Sequence, residues 1–201
     1  MVLSKYEKYK RIFPEIRVSW SLYKLYAQKN WPEIWDYLIG APQESTMQQS
    51  LGNLTHEWIE KNGWDAIQGL ERLGLSSLKG LEQEVKLEKR PAIKNGQRYV
   101  IVGKPDLFND DLVIDWKSGK MTGYEQQLQL YMWMLGEKCK DGFIVKVEPV
   151  LENGIIKEVR AGKIFQYARR KDSGTIWINR METLASDIYR NLNQLDKYLR
   201  L

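Results

Sequence analysis

The sequence has a single cysteine and a single histidine among its 201 residues. One cysteine, Cys139, excludes a disulfide within the chain and any zinc or iron–sulfur site that needs several of its cysteines. No run of about 18 apolar residues occurs, so we expect no membrane-spanning helix and no membrane partner. Residues 1–20 are rich in charge and lack the apolar segment of a secretory signal. The cytoplasm is therefore the expected compartment.

Several sequence signatures of catalysis are also missing. Gly119-Lys120 is followed by Met121, and Ile114 stands five residues before Gly119, so the phosphate-binding Walker pattern fails at two positions. The chain has no GxSxG nucleophile elbow, no HExxH zinc motif and no GxGxxG dinucleotide fingerprint. These gaps argue against P-loop nucleotide hydrolysis, serine-dependent hydrolysis and dinucleotide-dependent redox chemistry.

The composition is that of a globular protein. Hydrophobic residues make up 43% and charged residues 28% of the chain, which is enough to build a core and argues against intrinsic disorder. The formal net charge is +5. This excess of positive charge fits a polyanionic partner but does not require one.

The order of predicted elements indicates an α/β fold of mixed, α+β type, with a sheet flanked by helices. Apolar spacing predicts helices over 20–28, 32–38, 45–61 and 64–73, with Ser19 as the first N-cap and Met47, Leu51, Leu54 and Trp58 as the apolar stripe of the third. Alternation and the turns at 95–96 and 109–111 predict three antiparallel strands between 82 and 116. A helix over 124–135 and a hairpin of strands 143–150 and 155–159 follow. The last predicted helix, 175–201, has the stripe Met181, Leu184, Ile188, Leu192, Leu195 and Leu199.

Two acids and a lysine form the densest chemical signal. Asp106 follows one predicted strand in Gly103-Lys104-Pro105-Asp106, and Asp115 ends its hairpin partner in Ile114-Asp115-Trp116-Lys117. Antiparallel neighbours can bring the two carboxylates together, and Lys117 points to the same face as Asp115. Adjacent carboxylates favour a hard divalent cation between them. Taken alone, the pattern also fits a solvated hairpin tip, because aspartate is common at turns.

Three other polar residues are candidates on weaker grounds. Gln127 and Tyr131 are separated by four residues and share one face of the predicted helix, where they can hydrogen-bond a phosphate or the lysine. A half-buried helix face with a polar edge explains that pair equally well. His56, the only histidine, lies opposite the apolar stripe of its helix, and it is either a metal ligand or a structural residue.

Together these motifs resemble the PD-(D/E)XK nuclease superfamily, in particular its RecB-like branch of CRISPR-associated and viral exonucleases. The ordered match runs over about residues 19–133, and it is carried by Ser19-Trp20-Ser21-Leu22, Tyr26, Pro32, Gly52, His56, Glu84, Gly103-Lys104-Pro105-Asp106, Ile114-Asp115-Trp116-Lys117-Ser118-Gly119-Lys120 and Gln127-Leu128-Gln129-Leu130-Tyr131. Iron–sulfur members of the branch carry a cysteine near the Tyr-to-Pro segment and three more toward the C terminus. Those positions hold no cysteine here, so we expect no iron–sulfur cluster.

The resemblance implies a role for each matching residue. His56, Asp106 and Asp115 would bind Mg²⁺ or Mn²⁺ with the backbone carbonyl of Trp116, and Lys117 would be the catalytic lysine. Gln127 and Tyr131 match the family's Q-x-x-x-Y element, which supports the lysine and contacts DNA. Glu84 matches an acid of the first core strand and is a possible further site residue.

The resemblance also implies the architecture, which is a restriction-endonuclease-like core with a central mixed sheet flanked by helices and a helical N-terminal lobe. We expect a single nuclease domain over 1–201. Within it, residues 1–78 form the lobe that carries His56, 79–165 form the sheet core with the active site, and 166–201 form the C-terminal helix.

The predicted function is metal-dependent hydrolysis of DNA phosphodiester bonds, as an exonuclease that prefers single strands or ends, in the host cytoplasm if the source is viral. Basic residues would follow the phosphates of the DNA partner: Lys104, Lys120, Lys86 and Arg90, with Lys89 and Lys94. Two alternatives remain open at this point. One is a catalytically silent nucleic-acid-binding module on the same scaffold, and the other is an assembly protein that forms a homo-oligomer through the C-terminal helix.

Overall fold

A computed structural model of the chain describes residues 15–41, 46–74, 80–91, 98–119 and 123–191, together with residues 194 and 197. Two compact units are distinguished by their internal contacts. The first unit comprises residues 1–44, 88–103 and 174–201, and the second comprises residues 45–87 and 104–173. Within the described ranges, no helix is long and apolar enough to cross a membrane.

The described residues form both α-helices and mixed β-sheets, which confirms the mixed α/β class. In chain order they are β1 (Ile16–Val18), α1 (Trp20–Ala27), α2 (Trp31–Ile39), α3 (Met47–Asn62), two 3₁₀ turns (Trp64–Ala66 and Leu70–Leu73), β2 (Glu82–Gln83), β3 (Leu87–Lys89), β4 (Tyr99–Gly103), β5 (Leu107–Phe108), β6 (Leu112–Lys117), α4 (Tyr124–Leu135), β7 (Asp141–Glu152), β8 (Ile155–Ala168) and α5 (Ser173–Arg190).

The first unit combines helices with a small sheet in the order β1-β4-β3, in which β1 and β4 are parallel. Ser19 is the N-cap of α1, as the sequence predicts, because its hydroxyl accepts a hydrogen bond from the Leu22 N–H at 3.2 Å. The predicted stripe of α5 is buried at Met181, Leu184 and Ile188. The stripe positions Leu192, Leu195 and Leu199 lie outside the described residues.

The second unit is built on a five-stranded sheet in the order β2-β5-β6-β7-β8. β6 and β7 are parallel, and every other neighbouring pair is antiparallel. Because parallel strands need a long crossover, α4 connects β6 to β7. This mixed sheet is the central sheet that the resemblance implies.

The two faces of β6 pack against different helices. Ile114 and Trp116 belong to a core that includes Ile59 of α3, whereas Val113 belongs to a second core that includes Leu128 of α4. Successive residues of a strand point to opposite faces, so the alternation along β6 produces the two cores. The end of β6 therefore lies between α3 on one side and α4 on the other, where it can meet side chains from both.

Four sequence predictions are corrected by the structure. The expected three-strand meander is wrong, because β4 lies between β1 and β3 in the small sheet, whereas β6 pairs with β5 in the other sheet. The predicted helix 64–73 is two 3₁₀ turns, separated where Gly69 adopts a left-handed φ of 86°. On α3, the predicted stripe residues Met47 and Leu54 are exposed, and Thr55 and Ile59 are the buried side chains. The long strand β8 continues to Ala168, well past the predicted end at 159.

Candidate active site

Three acidic residues of the second unit lie side by side in one row of the sheet. The Glu84 N–H donates to the Asp106 carbonyl at 3.1 Å, which extends the pairing of β2 with β5 by one residue. The pairing of Leu107 with Ile114 places Asp106 opposite Asp115. Residues that face each other on antiparallel strands have their Cβ atoms about 5 Å apart on the same face. The strand register thus gathers acids that are distant in sequence.

Glu84 enters this row with an unusual backbone. Its φ is 56°, a left-handed value that non-glycine residues seldom adopt, and it stands directly after the end of β2. Its Oε2 lies 2.6 Å from the Lys104 Nζ. Burial raises the pKa of Glu84, and the nearby Asp106 adds to this effect, while Lys104 and His56 oppose it. Lys104 and His56 therefore favour the charged form of this carboxylate, and burial and Asp106 oppose it.

Asp106 is buried and holds two neighbours in place. Its Oδ1 lies 3.1 Å from His56 Nδ1, and its Oδ2 accepts a hydrogen bond from the Trp116 N–H at 2.6 Å. Burial acts to raise the pKa of Asp106, but His56, Lys117 and the Trp116 N–H together lower it below its ordinary value. Burial acts to lower the pKa of His56, but Asp106 and Asp115 raise it. The environment thus favours Asp106 as a charged carboxylate and makes the neighbouring His56 imidazole more basic than usual.

Asp115 and Lys117 form a buried ion pair between Oδ2 and Nζ. Burial raises the pKa of Asp115 to about 6, because Lys117 only partly compensates for the loss of water and Asp106 repels a second charge. The pKa of Lys117 is raised, since burial acts to lower it but Asp115 and Asp106 prevail. The Lys117 ammonium also lies 4.9 Å from the centre of the Tyr124 ring.

Gln127 and Tyr131 of α4 are joined by a hydrogen bond in which Gln127 Nε2 donates to the Tyr131 hydroxyl at 2.8 Å. The Tyr131 hydroxyl in turn lies 3.5 Å from the Lys104 carbonyl oxygen. Burial raises the pKa of Tyr131, with Asp115 as the next cause, so the phenol stays protonated. The two residues therefore link α4 to the segment that precedes Asp106.

Three side chains offer metal ligands at one point. One ligand atom from each of His56, Glu84 and Asp106 lies within 4.8 Å of the others. Two carboxylates suit Mg²⁺ and Mn²⁺, and an imidazole extends the preference toward transition metals. The donor set thus fits the predicted ions. It includes Glu84, which the sequence indicates only as a possible site residue, while Asp115 and the Trp116 carbonyl stay predictions as ligands.

The predicted phosphate-binding residues are distributed over both units. In the second unit, Lys104 pairs with Glu84, and Lys86 lies between β2 and β3. In the first unit, Arg90 lies 3.5 Å from Glu15 and 3.0 Å from Glu88. Lys89 ends β3. Lys94 and Lys120 lie outside the described residues.

Two further contacts lie at the site, and only the first was not foreseen from the sequence. Tyr124 lies against Lys117, and a Cβ built on Gly52 of α3 would stand 3.2 Å from the Ser118 hydroxyl. The first could have been found from its position one turn before Gln127 on the same helix. The second follows a sequence signal, because a glycine inside a helix often marks a close approach of another chain segment.

Comparison with solved structures identifies the fold. A provisionally named exonuclease from Eubacterium rectale superposes with a TM-score of 0.52 at 14% identity, covering 98% of this chain and 88% of that chain. A phage-related exonuclease from Haemophilus somnus 129PT superposes with a TM-score of 0.51 at 16% identity, covering 86% and 83%. No protein-family model matches the sequence, and no curated protein matches it significantly.

The row of acids in the second unit agrees with the resemblance drawn from the sequence. The fold that this chain shares with the two exonucleases agrees with it as well. The chain shares its overall fold with these two exonucleases, which is consistent with the motifs. Identities this low show the fold alone. The chemistry has to be argued from the side chains of this chain.

Proposed function

We propose that this chain is a Mg²⁺- or Mn²⁺-dependent deoxyribonuclease, and that it acts as an exonuclease on single strands or ends. The observation that carries the proposal is the convergence of Glu84, Asp106 and Asp115 with His56 and Lys117 in the second unit. Surface charge does not explain it, because Asp106 and Asp115 are 5% and 2% exposed. Buried acids without a functional partner would be costly to fold.

His56, Glu84 and Asp106 would hold the divalent ion, and Asp115 would join them as the family resemblance implies. When bound, the ion supplies polarisation of the phosphoryl oxygen and lowers the pKa of a coordinated water. His56 is oriented for this role because its Nδ1 is fixed by Asp106. Asp106 is itself fixed by the Trp116 N–H, so the ligand geometry is built into β6.

Lys117 would hold the attacking water and neutralise charge that develops on the phosphate. Its raised pKa keeps it protonated, so it acts as a hydrogen-bond donor and a positive charge. Asp115 positions its ammonium, and Tyr124 covers it from α4. Gln127 and Tyr131 would support the same group and contact the DNA.

Preference for single strands or ends is proposed from the family resemblance and from the names of the two structural neighbours, both of which are called exonucleases. The net charge of +5 favours a polyanionic substrate. Lys104, Lys86, Arg90 and Lys120 stay predictions as phosphate contacts.

The test is a cleavage assay on end-labelled single-stranded and double-stranded oligonucleotides with Mg²⁺, Mn²⁺, Ca²⁺ or EDTA. We expect Mg²⁺ or Mn²⁺ to support stepwise shortening from an end. Asp115→Asn and Lys117→Ala should each reduce the rate by at least about a hundredfold, the scale seen when a group that stabilises transition-state charge is removed.

The surface pair Asp110 and Lys138 provides the matched control, because these side chains are 81% and 78% exposed. Asp110→Asn and Lys138→Ala should cleave like the wild type. Full activity in the Asp115 and Lys117 variants would remove the proposed mechanism. Binding of DNA with no cleavage under any metal would support the silent binding module instead.

A further inference from the structure

We propose that an open groove beside the acidic row binds the single strand of DNA that flanks the cleaved bond, and this rests on the proposed function. The groove lies wholly within the second unit and has a volume of about 650 Å³. It begins at Ser118 and Gly119, which directly follow Lys117. It continues along β7 and β8, where Lys146, Lys163 and Phe165 line it.

The strand register connects this groove to the catalytic residues. Lys117 pairs with Lys146 across the parallel β6–β7 contact. Val145 pairs with Ile164 and Val147 with Ala161, so Lys146 faces a β-bulge formed by residues 162 and 163. The lysine row of the sheet thus runs from the candidate catalytic lysine through Lys146 to Lys163.

A second row of paired residues crosses the sheet next to this lysine row. Asp115 pairs with Ile144, and Ile144 pairs with Phe165 on β8. Partners in neighbouring strands point to the same face, so Phe165 lies on the face of the sheet that carries Asp115. Its side chain is 38% exposed, a large fraction for a phenylalanine in the middle of a strand. An aromatic ring two strands away from the acid is therefore open to a ligand.

This combination of groups matches the chemistry of single-stranded DNA. Proteins that bind single strands use lysine or arginine along the backbone and aromatic rings on which unpaired bases stack. Lys146 and Lys163 supply the positive charges along the backbone, and Phe165 supplies the aromatic ring. A base inside a duplex already stacks on its neighbours, so the Phe165 ring selects an unpaired base.

The size of the groove sets the length of strand that it holds. Two inter-strand spacings of about 4.8 Å separate β6 from β8, which is roughly 10 Å. With a rise of about 3.4 Å or more per nucleotide, the groove takes at most about three nucleotides. Glu148, whose Oε1 lies 2.7 Å from the Lys146 Nζ, occupies the position that a phosphate would take.

The experiment measures binding of a fluorescent oligothymidylate by anisotropy, with Ca²⁺ in place of Mg²⁺ and again in EDTA. Phe165→Ala should weaken binding by about tenfold, and Phe165→Leu, which keeps apolar volume but has no ring, should weaken it nearly as much. Lys146→Gln and Lys163→Gln should each reduce the slope of log affinity against log salt by about 0.7. Glu148→Gln should tighten binding, because it releases Lys146.

Two positions on β8 serve as matched controls. Lys157 is 54% exposed and lies 3.5 Å from Glu152, and Ile155 is 64% exposed, both near the far end of the β7–β8 hairpin. Lys157→Gln should keep the salt slope, and Ile155→Ala should keep the affinity. Thermal unfolding of every variant checks that the fold is retained.

The outcomes separate this proposal from the nuclease proposal. If the wild-type protein cleaves DNA and the groove variants bind DNA as tightly as the wild type, the groove proposal is wrong and the nuclease proposal is retained. Groove variants that lose binding, in a wild-type protein that never cleaves, would support the groove and contradict the nuclease. Wild-type protein that does not bind the oligothymidylate at all overturns the groove proposal.

Discussion

Each charged side chain at the candidate site is balanced by a neighbour within the second unit. Asp106 lies against His56, Asp115 against Lys117, and Glu84 against Lys104. Burial alone would protonate the acids, because it disfavours the charged form. The three pairings counteract this effect to different degrees: the pKa of Asp106 is lowered, whereas that of Asp115 is raised to about 6. The same carboxylates are thereby available to a cation that competes with these partners.

Lys104 is the partner that such a cation would displace most directly. Its ammonium is 51% exposed and lies 2.6 Å from a carboxylate of the candidate metal site. Lys104→Gln should therefore tighten Mn²⁺ binding by about fivefold, since one repulsive charge a few ångströms away in water is worth about 1 kcal/mol. Isothermal titration calorimetry measures the change, with Lys138→Gln as the control. Unchanged or weaker Mn²⁺ binding in the Lys104 variant would contradict this prediction.

A tyrosine of the first unit should make stability sensitive to alkaline pH. Tyr26 of α1 donates its hydroxyl hydrogen to Asp187 of α5, and burial, followed by this bond, raises the pKa of Tyr26 from 10.0 to about 12. A raised folded-state pKa stabilises the fold below the unfolded value, and this contribution is lost as the pH rises from about 10 to about 12. Denaturant unfolding should show less alkaline loss in Tyr26→Phe than in the wild type. Equal losses would show that the bond contributes nothing measurable.

Among the secondary-structure elements, α3 shows how a helix can bury a face that hydropathy does not mark. Met47 and Leu54 are 91% and 51% exposed, whereas Thr55 and Ile59 are buried and His56 is half-buried. The buried face contains Gly52, which allows close approach to Ser118 after β6. The close approach at Gly52 and the polar contact of His56 accompany the burial of Ile59 on this face, and neither of these two contacts is a hydrophobic signal.

A larger residue at position 52 should disturb the site through this contact. Gly52→Leu would place side-chain atoms where the Ser118 hydroxyl now stands, 3.2 Å from an ideal Cβ, and would move α3 away from β6. We expect weaker metal binding and a loss of cleavage of about tenfold or more, because a small misplacement of catalytic groups is costly. The variant Asn53→Leu, at an exposed position of the same helix, is the control. Retained metal affinity in Gly52→Leu would show that the contact does not position His56.

Local patterns predicted most of the helices well, but they missed long-range pairing and the two-residue strand β5 that pairs with β6. The bounds of α4 were predicted as 124–135, and its structure is Tyr124–Leu135. The partner of β4, by contrast, is β1, a three-residue strand about 80 positions away whose middle residue Arg17 is exposed. Glu84 was indicated only by the resemblance, because its position beside Asp106 depends on a two-residue strand. β1 is too short for alternation to mark it, and the strand predicted around Glu84 does not reveal from sequence that Asp106 is its neighbour.

At the scale of the whole molecule, His56, Glu84 and Asp106, the three candidate metal ligands, all belong to the second unit. Binding of an ion to the folded state alone should raise the free energy of unfolding, by about 2.7 kcal/mol at a metal concentration of 100 times Kd. Asp106→Asn should abolish this stabilisation while its amide oxygen still accepts from the Trp116 N–H. Thermal unfolding with and without Mn²⁺ measures the effect, with Asp110→Asn as the control. Equal metal stabilisation in Asp106→Asn would exclude the proposed ligand.

The turn between β5 and β6 has a consequence for protein engineering. Asn109 closes it by accepting hydrogen bonds from the Asp111 and Leu112 N–H groups at 2.9 and 3.0 Å. Exposed polar turns of this kind usually tolerate insertions and deletions. Here one added or deleted residue would change the β5–β6 register, and a slip by a single position exchanges the two faces of a strand. Library designs that vary loop length should therefore leave this turn at its native length.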